Sequence, residues 1–123
     1  MEKLQVLVAT MGQQDLSLAE KMNIDCAAVI ANQDDREEIQ KQGRVKMITT
    51  ATRGVGLNRN IALLAADAEL LLLADDDVVY YEGMAEAVEK AFAESPKADV
   101  LIFSRCPKHS HGNIRADPYQ SRT

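Results

Sequence analysis

Glu69-Leu70-Leu71-Leu72-Leu73-Ala74-Asp75-Asp76-Asp77 is an apolar run that stops against three consecutive acids. A short run with no polar interruption reads as a strand buried on both faces, the kind found in parallel sheets covered by helices. In such sheets ligands bind just beyond the carboxyl ends of the strands. Asp75, Asp76 and Asp77 fall at that place. Three adjacent carboxylates repel one another, and a divalent cation is the simplest compensator, because hard cations prefer oxygen ligands.

Upstream of the leucines, Leu57, Ile61, Leu64, Ala65 and Ala68 recur at helical spacing and predict a helix from about Leu57 to Ala68 with these residues inward. Before it comes the loop Ala51-Thr52-Arg53-Gly54-Val55-Gly56. Arg44 to Thr50 reads as a third strand whose partial alternation suits a sheet edge. Arg36 to Gln42 is expected to form one or two helical turns stopped by Gly43. Cys26 to Ala31 is a second strand ending on Asn32, Gln33, Asp34 and Asp35. Leu4 to Thr10 is the first strand, followed by a short helix that Asp15 could cap. Downstream of the acids, Gly83 to Glu94 is a helix with Met84, Val88, Ala91 and Phe92 inward, and Pro96 marks its end. Asp99 to Phe103 is a fifth strand.

Strands alternating with helices give an α/β layered domain with a mainly parallel sheet of about five strands. The expected organisation is one domain over residues 1–104 and a loop or disordered tail over 105–123, where periodicity is lost. With 123 residues and 46% hydrophobic content the chain can bury a core, and 4% aromatics make that core aliphatic. The net charge of -5 argues against nucleic acid as a partner. No apolar run approaches the roughly 20 residues that span a bilayer, so no transmembrane segment is expected. Cys26 sits in an apolar run as a small buried hydrophobe, and Cys106 has no partner at metal-site spacing. With no visible signal peptide, a reducing, cytoplasmic setting is expected, with peripheral attachment at the inner face of a membrane as a variant of it.

If the strands are parallel, three features share one sheet edge: Asp34 or Asp35 after strand two, Arg53-Gly54-Val55-Gly56 after strand three, and the triple acid after strand four. Glycines let the backbone approach a ligand, arginines pair with phosphate, and an acid can accept hydrogen bonds from a base or ribose. Together they describe a pocket for a nucleoside diphosphate.

Gly54-Val55-Gly56-Leu57-Asn58-Arg59-Asn60-Ile61-Ala62, followed by the strand ending in Asp75-Asp76-Asp77, resembles family 2 glycosyltransferases of the GT-A fold. There a Gly-x-x-x-x-Arg-Asn helix start precedes an Asp-x-Asp strand end. The resemblance covers roughly Leu4 to Ser104. It implies a three-layer, Rossmann-like GT-A domain that takes a nucleoside diphosphate sugar, expected to be a UDP-sugar, with Mn²⁺ or Mg²⁺, and passes the sugar to an acceptor hydroxyl of unidentified origin. By resemblance Asp75 and Asp77 occupy the Asp-x-Asp positions and hold the metal, with Asp75 also near the sugar nucleotide. Asp34 is similar to the acid that contacts the nucleoside, and Arg59 matches the motif arginine. Arg53 has no motif position.

Two departures accompany it. The loop after strand one reads Ala9-Thr10-Met11-Gly12-Gln13 where the family has a Pro-x-Tyr-Asn pattern. Family members also continue past strand five with an acceptor half and a general base, so no catalytic base is assigned and whether this chain itself transfers sugar is left open. A truncated nucleotide-binding module without transfer is one alternative, with dimerisation another way to complete a site. A nucleotidyltransferase-like enzyme is a third, although Gly12 lacks the Arg/Lys cluster that class carries after strand one. Plainer roles stand beside these: Asp76 solvent-facing, Asp34 and Asp35 as loop caps, Arg59 in a salt bridge to a sheet-edge acid, and His109 and His111 solvated in the tail.

Overall fold

Val6, Val8 and Ile30 have no accessible surface at all, and neither do Ala31 and Met47. In a strand, residues of opposite parity point to opposite faces, so full burial of both parities requires cover on both sides. The computed structural model, which describes residues 2–105 and 114–121, has that construction. The elements are β1 (Glu2–Met11), α1 (Leu18–Lys21), β2 (Ala27–Gln33), β3 (Glu38–Gln42), β4 (Val45–Thr50), α2 (Val55–Ala65), β5 (Ala68–Asp75), α3 (Met84–Ala93), β6 (Val100–Arg105) and β7 (Ile114–Ser121). Five strands form one sheet in the order β3-β4-β2-β1-β5. All neighbours are parallel except β3 and β4.

One face of the sheet packs Leu4, Val6, Val8, Ala28, Ile30 and Met47 against Leu18, Ala19 and Met22 near α1 and Met84 and Val88 of α3. The other packs Leu7, Val29 and Ala31 against Ala62 of α2, with Ile61 and Ala65 alongside. The result is a three-layer α/β domain with a mostly parallel five-stranded sheet, as expected. Cys26 is buried in the first of these cores. Desolvation, reinforced by the charge of Asp25, pushes its thiol up to about 11, so it is an inert hydrophobe rather than a nucleophile.

Several expectations are corrected. The leucine strand is not buried on both faces. Among the described residues β5 is an edge strand with only β1 beside it, and Leu71 and Leu73 are 38% and 56% exposed. The helix after the glycine loop ends at Ala65 and buries its predicted face only in part: Ile61 and Ala65 pack inward beside the buried Asn58 and Ala62, whereas Leu57 is exposed, Leu64 is 88% exposed and Ala68 belongs to β5. Small residues let α2 approach β1 and β2 closely, which the leucines would prevent. Arg36 to Gln42 is not helical. Glu38–Gln42 forms β3, which returns antiparallel onto β4 with Gln42 opposite Val45. The two-residue loop between them has Gly43 at φ +60°, as a II′ hairpin turn requires at its first position. β3 therefore takes the edge and β4 lies inside the sheet.

The predicted fifth strand exists as β6, but it pairs with β7 in a separate two-stranded antiparallel sheet. Part of the segment expected as a loop or disordered tail is thus a strand, Ile114–Ser121, close to α3. Cys106, His109 and His111 lie outside the described residues. No helix among the described residues is long and apolar enough to cross a membrane.

The buried centre of the sheet and its edge strand should respond differently to truncation. Ile30→Ala should cost about 2–5 kcal/mol in urea unfolding, as for a core truncation. Leu73→Ala should cost less than about 1 kcal/mol, because so much of the side chain is already in water. Equal losses would mean that β5 is buried like β2.

Candidate functional site

At the carboxyl edge the apolar core gives way to a polar row. Register places Thr10 of β1 opposite Asn32 of β2, and Asn32 opposite Thr49 of β4. All three are buried, so each needs a hydrogen-bond partner. The Asn32 amide nitrogen donates to the Gln13 carbonyl at 2.9 Å and to Thr49 Oγ1 at 3.1 Å. Its oxygen accepts from the Gln13 amide at 3.0 Å. This two-way clasp folds the loop after β1 down onto β2. Gly12, at φ +71°, makes the turn and donates to the Gln33 carbonyl.

Asn58 extends the row from above. Its side-chain nitrogen donates to the Thr10 carbonyl at 3.0 Å and the Ala31 carbonyl at 2.7 Å. One buried amide from the first turns of α2 thus ties the helix to the ends of two neighbouring strands. Gln33 does similar work beside it, donating to the Gly54 carbonyl at 3.0 Å and to Thr52 Oγ1 at 3.3 Å. The glycine loop is fixed to β2 by a side chain and not by its own sequence.

The acid after β2 is engaged on both oxygens. Asp34 Oδ1 accepts from the Asp35 amide at 2.8 Å, and Oδ2 accepts from Gln14 at 3.0 Å and Arg36 at 2.6 Å. The Asp35 amide above all, then Gln14 and the Arg36 charge, holds this carboxyl below the usual carboxylate range. It is therefore ionised at neutral pH and already surrounded by donors. Arg36 also donates to the Gln13 carbonyl. Arg53, which had no motif position, pairs with Asp35 at 2.6 Å.

The three acids at the end of β5 go separate ways. Asp75 has the parity of Leu71 and Leu73, the α2 face, and it meets Arg59 at 2.9 Å. Asp76, one residue on, accepts a hydrogen bond from the Thr10 hydroxyl at 2.7 Å. Asp77 is exposed in the turn that follows. Asp76 is exposed as well, but it is tied to β1 rather than simply facing solvent. Among the described residues no group of three or more His, Cys, Asp or Glu side chains could by itself hold a metal ion. The carboxylates present suit a site that a ligand's own oxygens complete, the usual situation for Mg²⁺ on phosphates.

These acids and arginines converge on one place in the topology. The chain runs from β1 outward to β2 and β4, then returns to put β5 on the other side of β1. The strand order reverses between β1 and β5, and such a switch point opens a crevice at the carboxyl ends. Asp34 and the Asp75–Asp77 turn follow the two strands that flank β1, one on either side of its end. Arg59 meets Asp75, Asp76 meets Thr10, and Arg36 meets Asp34. Sequence reasoning missed Thr10, Gln13, Asn32, Asn58 and Arg36. The signal was available for the first and third, since in each a polar residue follows an apolar run, Val6 to Ala9 and Cys26 to Ala31.

The Asn58 clasp predicts a stability effect at an otherwise polar position. Asn58→Ala leaves the Thr10 and Ala31 carbonyls without that donor in a buried setting, and should cost about 1–3 kcal/mol in denaturant unfolding. Arg59→Ala, which breaks an exposed ion pair, should cost no more than about 1 kcal/mol.

A family model described as Glycosyl transferase family 2 matches residues 17–119. The matched span takes in Asp34, the glycine loop, α2 and the acidic turn after β5. It begins after β1 and its loop, the segment in which Ala9-Thr10-Met11-Gly12-Gln13 replaces the family's pattern. No curated protein and no solved structure gives a match. Most of the chain is covered, and the three-layer, mostly parallel sheet is consistent with a GT-A fold: the chain belongs to glycosyl transferase family 2.

Proposed function

We propose that this domain binds a nucleoside diphosphate sugar, a UDP-sugar in the first instance, across the carboxyl edge, for transfer of the sugar to an acceptor hydroxyl. The observation that carries the reading is the placement of Asp34 and the Asp75–Asp77 turn on either side of the β1 end in a family 2 domain. Asp34 is the ionised acceptor for hydrogen-bond donors of the nucleoside. Its existing partners, Gln14 and Arg36, keep it aimed along the edge. The diphosphate then lies toward β5, beside Arg59.

Arg59 is exposed and paired only across a surface ion pair. Such pairs contribute about 0–1 kcal/mol, so a phosphate can take over the guanidinium at little cost. Asp75, released from Arg59, and Asp77 would hold Mn²⁺ or Mg²⁺. A bound divalent ion supplies positive charge where the leaving diphosphate accumulates negative charge. Two carboxylates with phosphate oxygens and water make a suitable hard donor set. The side chains on this edge orient and hold the donor.

Calorimetric titration with UDP, with and without Mn²⁺, is the direct test. Binding should be metal-dependent, and Asp77→Asn should weaken it about tenfold or more. Asp34→Ala should weaken UDP about tenfold, both with and without metal. Folded protein that binds UDP equally with Mn²⁺ and with chelator refutes the proposal. Labelled sugar nucleotide with an acceptor panel then reads transfer itself.

The lowered titration of Asp34 adds a sign to this. A carboxylate depressed in the folded state stays charged as pH falls through the ordinary carboxylate range and is lost only below it. The Asp34 contribution, read as the ratio of wild-type to Asp34→Ala affinity for UDP in chelator, should therefore be flat on mild acidification and fall only on stronger acidification. An increase in that ratio on mild acidification would be inconsistent with an ionised Asp34 in the site.

A further inference from the structure

Thr10 lies outside the span that the family model matches, and Asp76 lies inside it. The two meet across the switch point, 66 residues apart in sequence, at 2.7 Å. Thr10 is 5% exposed, and its hydroxyl is used in both directions. It donates to Asp76 Oδ2 and accepts from Gln13 Nε2 at 3.1 Å. Gln13 is held in turn by its backbone on Asn32, and Asn32 on Thr49. The chain of contacts thus runs from β4 through β2 and β1 to the acidic turn after β5.

The chemistry of this contact is specific. A hydroxyl has one proton to give, and acceptance from the Gln13 amide leaves that proton directed at the carboxylate. A bond from a neutral hydroxyl to a carboxylate is charge-assisted and short. Its consequence is geometric. Among the described residues β5 is an edge strand whose far side has no other strand of its sheet, and the triple acid comes at its end. The bond holds Asp76 to β1, while Asp75 meets Arg59 of α2 and Asp77 lies exposed in the turn.

We infer that Thr10 is a positioning residue and Asp76 a tether: together they set the acidic turn so that Asp75 and Asp77, not Asp76, present carboxylates to the metal–diphosphate. This rests on the reading of the site as a metal-dependent nucleotide-sugar site. It divides the three acids by role and makes a buried threonine outside the acidic motif part of the metal affinity. Residues that orient metal ligands typically affect metal affinity 10–100-fold.

The test uses the full chain and two measurements, UDP affinity with Mn²⁺ and UDP affinity in chelator. Thr10→Val, which keeps the shape and removes the hydroxyl, should lower the Mn²⁺-dependent affinity about tenfold and leave the chelator value unchanged. Thr10→Ser should restore it. Asp76→Ala should behave as Thr10→Val does, whereas Asp76→Asn, which retains an oxygen to accept the threonine proton, should recover most of the loss. Wild-type metal dependence with an unaffected Thr10→Val overturns the inference alone. So does an equal loss in Mn²⁺ and in chelator, which would be a general structural defect. An Asp76→Asn as impaired as Asp76→Ala would make Asp76 a ligand and not a tether. If Thr10→Val does not fold, the two Asp76 variants decide the matter from the other side of the contact. Wild-type protein with no metal dependence overturns the parent reading and this one with it.

Discussion

The parallel pairing of β1 with β2 on one side and β5 on the other is the constraint from which the rest follows. A parallel neighbour cannot be reached by a tight turn, so each pairing needs a crossover long enough to return the chain to the same end of the sheet. Those crossovers cover the two faces and dry the sheet, which is why Val6, Val8 and Ile30 lose all exposure. They also bring every strand in the parallel part of the sheet to the same edge with its carboxyl end. The chemistry of the molecule is concentrated there because the topology delivers four strand ends to one place.

The edge is held by neutral amides and hydroxyls inside and by charges outside. Thr10, Asn32, Thr49 and Asn58 are buried and meet one another or strand carbonyls. Asp34, Asp75 and Asp77 stand in front of them, with Arg36, Arg53 and Arg59 nearby. Buried neutral hydrogen bonds specify geometry without the desolvation cost of a buried charge. Exposed ion pairs are weak enough to be exchanged for a ligand. A rigid floor carrying replaceable salt bridges is a physical arrangement suited to binding an anion with its metal and releasing it again. The tether from Thr10 to Asp76 is the point at which the floor reaches up into the charged layer.

Legibility in the sequence followed the range of the interactions. Strand–helix alternation, the three-layer class and the acid cluster at a strand end were readable because they depend on local pattern and on general rules for parallel sheets. The face that α2 buries was readable only in part from its apolar residues. Leu57 and Leu64 repeat at helical spacing, yet the contact with β1 and β2 is made by Asn58, Ile61, Ala62 and Ala65, since close approach selects small residues and the buried amide has carbonyls to meet. The segment from Glu38 to Gln42 carries helix formers and became a strand because β4 offered an unpaired edge and Gly43 supplied the turn. Tertiary pairing overrode a weak local preference.

The leucine run shows the division most clearly. By itself the sequence determined that Glu69 to Ala74 is an extended apolar segment ending in three acids, because a strand's period and the polarity change are local properties. Only the tertiary structure decided that this strand sits at an edge, with Leu71 and Leu73 in water. Only it decided where each acid goes: alternate residues leave the chain in different directions, and what they meet, Arg59 of α2 or Thr10 of β1, comes from segments 16 and 66 residues away. Strand order and the partners beyond the end of a strand are long-range quantities, and no local pattern encodes them.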